Sequence, residues 1–208
     1  RSYARRSRMS SIFSFPPVSA TNSLLLILGS IPGGASLAKS QYYAHPRNAF
    51  WPVIGKIMGF NPAAPYDIRC AHLLQSGVAL WDVLHACERS GSLDSSIIKA
   101  SMRPNDFTLF FQNHPQITSI CFNGATAEKI FQKLVLKNLP QSVPLPKMIC
   151  LPSTSPAHAS LQFNKNTCNG TRKLAHFHKR SEKLLTPKHS IVQVDLQVKK
   201  TANSQAIY

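Results

Sequence analysis

Five stretches of this chain bring polar or aromatic side chains to points where the backbone turns. The first is the loop Gly29-Ser30-Ile31-Pro32-Gly33-Gly34. Its glycines let the backbone approach a ligand closely, and its amides can donate to an anion or a carbonyl. No Lys-Ser or Lys-Thr follows, so it is not a nucleotide phosphate loop; a plain connection is its other reading. The second stretch, Gln41 to Trp51, holds Tyr42, Tyr43, His45, Arg47 and Asn48. Adjacent tyrosines commonly serve as core and rim. His45 and Arg47 suit a phosphate or an open surface. The Asn48 carboxamide can orient a water or bond a ligand, and it is equally well placed to cap a following helix. Asp82 closes an apolar run, as a polar group reaching a cleft or as a helix cap. Asn123 offers a donor and an acceptor to a ligand, or half of an Asn-Gly turn. Ser153-Thr154-Ser155-Pro156 is a run of hydroxyls with a rigid turn, suited to gripping phosphates, and His158 lies just beyond as a further polar contact or a surface residue.

These residues follow a pattern of short apolar runs. Leu24 to Leu28, Val78 to Trp81, Ile117 to Phe122 and Lys147 to Leu151 read as buried strands. Phe50 to Met58, Ile68 to Gln75, Phe107 to Gln112 and Ala125 to Leu136 have helical spacing, with Pro52 in a first turn, where a missing amide hydrogen is tolerated. Such alternation predicts crossover connections, hence a three-layer α/β/α sandwich around a central four-stranded parallel sheet. Ligands of such sheets bind outside the carboxyl ends of the strands, where Gly29, Asp82, Asn123 and Ser153 fall. Beyond His158 the pattern weakens to a basic helix over Leu174 to Leu185 and an edge strand over Ile191 to Val198. The expected organisation is a basic extension over 1–20, one domain over 21–186 and a tail over 187–208.

The balance of 24 Lys and Arg against 8 Asp and Glu, a formal +16, favours a polyanionic partner, because cationic side chains release condensed counterions from nucleic acid. The surplus gathers at the ends: no acid precedes Asp67, and the chain from Lys165 onward has nine Lys or Arg against Glu182 and Asp195. The opening RSYARRSRMSSIF reads equally as a transit peptide, a nucleic-acid-binding arm or residues upstream of a start at Met9. No run approaches membrane-spanning length, so no membrane partner is expected. Five widely spaced cysteines without a C-x-x-C pair suggest neither disulfides nor a metal. An intracellular protein follows, cytoplasmic and nucleoid-associated for a bacterial source, with organelle targeting open.

The segment L-G-S-I-P-G-G-A-S-L followed by Q-Y-Y-A-H-P-R-N-A-F-W resembles the first active-site motif of the uracil-DNA glycosylase superfamily, in the wording of its deoxyinosine (hypoxanthine) branch. A-L-W-D-V-L with G-S-L-D-S, F-N-G, and L-P-S-T-S-P-A-H-A resemble later blocks of that branch in the same order, and the likeness covers about Ser23 to Ser160. Ile31 stands where many relatives carry a catalytic Asp or Asn, and Leu151 stands where several have His or Asn. The resemblance therefore implies Asn48 as the catalytic group, orienting water or bonding the departing base. Ser30, Ile31, Tyr43 and Asn123 are implied as the base pocket, with Tyr43 stacking on the extruded base and Asp82 in support. Gly33, His45, Arg47, Ser153, Thr154, Ser155, Pro156 and His158 are implied as DNA contacts. The implied activity is that of a monofunctional glycosylase, expected as a monomer, working without cofactor or metal on double-stranded DNA, single strands being a further candidate. It flips a deaminated base, hypoxanthine before others, and hydrolyses its glycosidic bond. A uracil- or xanthine-preferring relative, and an inactive basic DNA-binding module of the same fold, are the alternatives.

Overall fold

The structure, a computed structural model, describes residues 10–158. In chain order it comprises β1 (Ser10–Phe13), β2 (Leu25–Gly29), α1 (Gly34–Lys39), α2 (Phe50–Met58), α3 (Tyr66–Gln75), β3 (Val78–Asp82), β4 (Leu84–Arg89), β5 (Arg103–Pro104), α4 (Phe107–Asn113), β6 (Ser119–Asn123), α5 (Ala125–Leu134) and β7 (Lys147–Leu151). The helix expected over Leu174 to Leu185, the strand over Ile191 to Val198 and the boundary at 186 lie outside the described residues.

The four apolar runs form one parallel sheet in the order β3-β2-β6-β7, flanked by helices, as the alternating pattern predicts. Leu25 to Leu28 are at most 1% exposed, which contributes roughly 1.5–3 kcal/mol per side chain. β7 departs from the expectation of a buried strand. It sits at the sheet edge, where Lys147 and Cys150 are exposed. Register fixes the faces. Trp81, Leu28 and Phe122 share one row. Trp81 packs on Phe107 and Phe110 of α4, while Phe122 packs on Phe131 of α5. The next row is Asp82, Gly29, Asn123 and Leu151, on the opposite face at the carboxyl ends of the strands.

From β2 the chain crosses to β3 on one side and later returns to β6 on the other. The strand order therefore switches between β2 and β6, and the Gly29 and Asn123 loops face the crevice that results. A second, antiparallel sheet, β1-β4-β5, was not foreseen. It corrects two expectations. Residues 10–20 are not an extension outside the packed domain: β1 pairs with β4, and Val18 exchanges hydrogen bonds of 2.9 and 2.8 Å with Leu80. The Arg-rich composition stops at Arg8, and Ile12, Phe15 and Val18 supply apolar surface to the core. Asp82 is not a helix cap, because the chain continues from it through Val83 straight into β4.

Candidate active site

Gly29 and Asp82 are register partners at the tips of β2 and β3. A Cβ on Gly29 would lie 2.5 Å from Asp82 Oδ1 and 3.1 Å from the Tyr43 hydroxyl, so this position requires glycine. Asp82 is 3% exposed, and the Ser14 hydroxyl donates to its Oδ2 at 2.9 Å. Burial pushes the Asp82 carboxyl up to about 7, with the charge of Asp94 adding to the shift, while the Ser14 hydrogen bond and Arg89 oppose it.

Tyr43 is reached through an unusual backbone. Its φ is 55°, a left-handed conformation that costs a non-glycine residue about 1–3 kcal/mol and persists where neighbours enforce it. Here the flanking amides are held: Tyr42 N–H donates to the Tyr66 hydroxyl at 3.1 Å and Ala44 N–H to Ser36 Oγ at 3.2 Å. The turn lays the Tyr43 ring on Phe50, with centroids 3.9 Å apart and planes 19° apart. Its hydroxyl lies beside Gly29 and near the Asn123 side chain, and makes no hydrogen bond of good geometry. Burial first, then the Asp82 charge, keeps this phenol far above its ordinary pKa, so it remains a neutral donor. Tyr42 takes the other role expected of the pair: it is 3% exposed and anchors to the Phe15 and Pro16 carbonyls at 3.2 Å.

Asn48 precedes α2, and its Oδ1 accepts the Phe50 amide hydrogen at 2.9 Å. The helix cap itself falls on Ala49 and has no side-chain bond, so the Asn48 contact is a side-chain turn one residue ahead of the cap. It uses one of two lone pairs on Oδ1 and neither Nδ2 hydrogen, so the carboxamide is held in one orientation with three bonding positions left over. The next residue carries the link to the other loops: Ala49 N–H donates to the Thr154 carbonyl at 3.1 Å. Thr154 in turn meets Asn123 twice, through Asn123 Nδ2 to Thr154 Oγ1 at 2.8 Å and Thr154 N–H to Asn123 Oδ1 at 2.9 Å. Asn123 thus directs part of its capacity to the serine-rich loop, keeping a second hydrogen and a second lone pair. Gly124 is not in a tight turn but caps α5 with φ 102°, and a Cβ there would meet Ser153 at 2.9 Å.

The remaining expected residues scatter around this centre. Ile31 is 6% exposed and belongs to the core cluster, a consequence of an aliphatic side chain where a polar one could face the crevice. Ser30 donates to Asp94 Oδ2 at 2.8 Å. Gly33 caps α1, with open space where a Cβ would stand. His45 Nδ1 accepts from Arg47 N–H at 3.1 Å, and Arg47 is exposed. Ser153 Oγ accepts from Ser155 N–H at 3.2 Å. Pro156 opens a short 3-10 turn that ends at His158, whose side chain lies outside the described residues. Sequence reasoning assigned no part to Ser14, Phe50, Arg89 or Asp94. Phe50 and Asp94 stood inside motif blocks that were noted, whereas Ser14 lay in the presumed extension. A cavity of about 490 Å³ lined by Trp81, His85, Leu109, Phe110 and His114, among others, shares no residue with this crevice. Among the described residues no cluster of His, Cys, Asp or Glu could hold a metal, and no helix is long and apolar enough to cross a membrane.

Comparison with known proteins gives one consistent answer. The family model described as the uracil DNA glycosylase superfamily matches residues 16–184. A hypoxanthine DNA glycosylase of Methanosarcina barkeri is 39% identical over 111 residues, 53% of this chain and 69% of the relative. One of the same name from Methanosarcina acetivorans is 40% identical over 114 residues, 54% of this chain and 71% of the relative. The solution NMR structure of a candidate uracil DNA glycosylase from M. acetivorans superposes with a TM-score of 0.64 at 31% identity, covering 83% of this chain and 99% of that one.

Proposed function

We propose that this chain, which belongs to the uracil DNA glycosylase superfamily, is a monofunctional glycosylase that flips hypoxanthine from deoxyinosine-containing DNA and hydrolyses the bond to the sugar. The observation that carries the reading is the closure of loops from separate parts of the chain on one crevice: Tyr43 against Gly29 and Asp82, the Asn48 segment bonded to Thr154, and Thr154 bonded to Asn123. The relatives named for hypoxanthine support the choice of base.

Cleavage develops positive charge on the sugar and negative charge on the departing purine, so it needs a water-poor pocket, a placed water and donors toward the base. The free lone pair of Asn48 Oδ1 accepts a hydrogen from the attacking water, which fixes that water's orientation toward the sugar carbon. The Phe50 amide holds the carboxamide in place throughout. The face of the Tyr43 ring opposite Phe50 receives the base. The Tyr43 hydroxyl and the remaining Asn123 hydrogen are donors toward its edge, and such bonds strengthen as the anion forms. A purine anion is delocalised enough to leave without a strong general base, which accords with Ile31 in place of a carboxylate. Extrusion costs a few kcal/mol and is least unfavourable at a mismatch, so deaminated sites are favoured before any edge contact.

The test uses duplexes carrying one deoxyinosine or one deoxyuridine, incubated with the protein and then cleaved with alkali. Abasic product is expected chiefly from deoxyinosine, and none from either would overturn the reading. Asn48→Ala is expected to slow single-turnover release by about 100-fold or more while duplex affinity stays within a few-fold. An inert wild type that still binds duplex would instead mark a non-catalytic DNA-binding module.

A further inference from the structure

The block Gly91-Ser92-Leu93-Asp94-Ser95 follows β4 and is left without a role by the chemistry above. With Arg89 it touches the Gly29–Gly34 loop at three points. The Ser30 hydroxyl donates to Asp94 Oδ2 at 2.8 Å, Gly34 N–H donates to Ser92 Oγ at 3.1 Å, and Arg89 Nη2 donates to the Pro32 carbonyl at 2.7 Å. Arg89 is 1% exposed, and its Nε donates to the Gly91 carbonyl at 2.9 Å. Its Nη1 lies 3.9 Å from Asp94 Oδ1 and has no hydrogen bond. Arginine is almost never buried this fully unless paired. The carboxylate thus spans two groups, one oxygen on the pocket loop and the other toward the guanidinium. Its charge also reaches the pocket floor, where it raises the pKa of both Asp82 and Tyr43.

We propose that Asp94 is a positioning residue of the base pocket: anchored by Arg89, it holds the Ser30 hydroxyl and so fixes the Gly29–Pro32 backbone against which the base is received, setting both the rate and the choice of base. This rests on the glycosylase reading above. All three ties end on residues 30–34, so slack in the block moves the loop rather than the sheet, and a small displacement of a pocket wall is costly to a reaction that depends on alignment.

The experiment measures single-turnover release of hypoxanthine and of uracil, together with duplex affinity by fluorescence anisotropy and thermal unfolding. It compares the wild type with Ser30→Ala, Asp94→Ala, Asp94→Asn and the double variant Ser30→Ala/Asp94→Ala. No release by the wild type overturns the glycosylase reading, and this inference with it; release by the wild type leaves the variants to judge Asp94 alone. Ser30→Ala and Asp94→Ala are each expected to slow hypoxanthine release about tenfold or more, with affinity within about twofold of wild type. The preference for hypoxanthine over uracil narrows in both. The double variant is expected to be no slower than Asp94→Ala, because the hydroxyl acts only through that carboxylate. Asp94→Asn, whose amide oxygen still accepts from Ser30 but whose neutral carboxamide no longer pairs with Arg89, recovers part of the rate. Unchanged release in Ser30→Ala, or losses that multiply in the double variant, would overturn the proposal. Should Asp94→Ala fail to fold, the contrast between Ser30→Ala and Asp94→Asn decides, since Ser30→Ala removes only a hydroxyl from a partly exposed residue.

Discussion

Replacing Asp82 by Asn keeps the shape of a buried side chain and removes its charge. Asp82 is 3% exposed, and the Ser14 hydroxyl is its side-chain hydrogen-bond partner at 2.9 Å. Burial and the neighbouring Asp94 raise the carboxyl from its ordinary 3.8 to about 7, against the Ser14 bond and Arg89. Between those two values the folded protein holds a proton that the unfolded chain has released. The folded state therefore binds more protons, and wild-type stability falls as pH rises from about 4 to about 7, then levels off. Each unit within that window removes about 1.4 kcal/mol, so from pH 5 to pH 8 the wild type loses roughly 3 kcal/mol relative to Asp82→Asn. At about 2–4 °C per kcal/mol for a chain of this size, the difference in Tm between variant and wild type grows by roughly 6–12 °C over that range. Thermal unfolding followed by circular dichroism at pH 5, 6, 7 and 8 measures it. Contributions common to both proteins cancel in the difference, and a poorer fit of the amide adds only a constant. A difference that stays flat with pH, or that widens toward acid, would refute the argument that burial governs this group.

Gly29→Ala places a methyl 2.5 Å from Asp82 Oδ1 and 3.1 Å from the Tyr43 hydroxyl; it is expected to destabilise by about 1–3 kcal/mol and to abolish measurable base release, read by denaturant unfolding and the deoxyinosine assay. Tyr43→Ala removes the ring laid on Phe50 and is expected to weaken binding to a deoxyinosine duplex by about 1–3 kcal/mol, read by anisotropy at fixed salt. Tyr43→Phe keeps the stacking ring and is expected to retain most of that affinity while slowing base release, since the hydroxyl's bond to the base edge strengthens only as the anion forms.

The parallel sheet was legible because each of its strands holds a short, mostly apolar run followed by Gly, Asp, Asn or Pro, a local signal that survives without tertiary context. Phe50 to Met58 was legible for the same reason, its helical stripe being preceded by Asn48. The second sheet was not. β1 is four residues long and β5 two, and both are strands only because β4 offers them an edge. Nothing in Ser10–Phe13 distinguishes a strand from the tail of a basic arm until its partner is known. The site followed the same division. Residues at strand tips were found from their place after an apolar run, as were Gly29, Asp82 and Asn123. Residues that act through a neighbour were not: Arg89 reads as one more cation in a basic chain, and only its burial against the Pro32 carbonyl separates it from the surface. Asn48 was expected to cap the helix, but the cap falls on Ala49, and the Asn48 side chain instead makes a local turn that takes a single lone pair.

The bond from Ala49 N–H to the Thr154 carbonyl joins the front of the second helix to the segment just past the last strand. It lies between two loops rather than within the sheet, and segments with few buried apolar contacts open locally at lower free energy than a core. The pocket is then expected to open while the hydrophobic sheet stays assembled. Hydrogen exchange at that single amide would report the fraction of molecules whose pocket is shut, separately from the fraction that is folded.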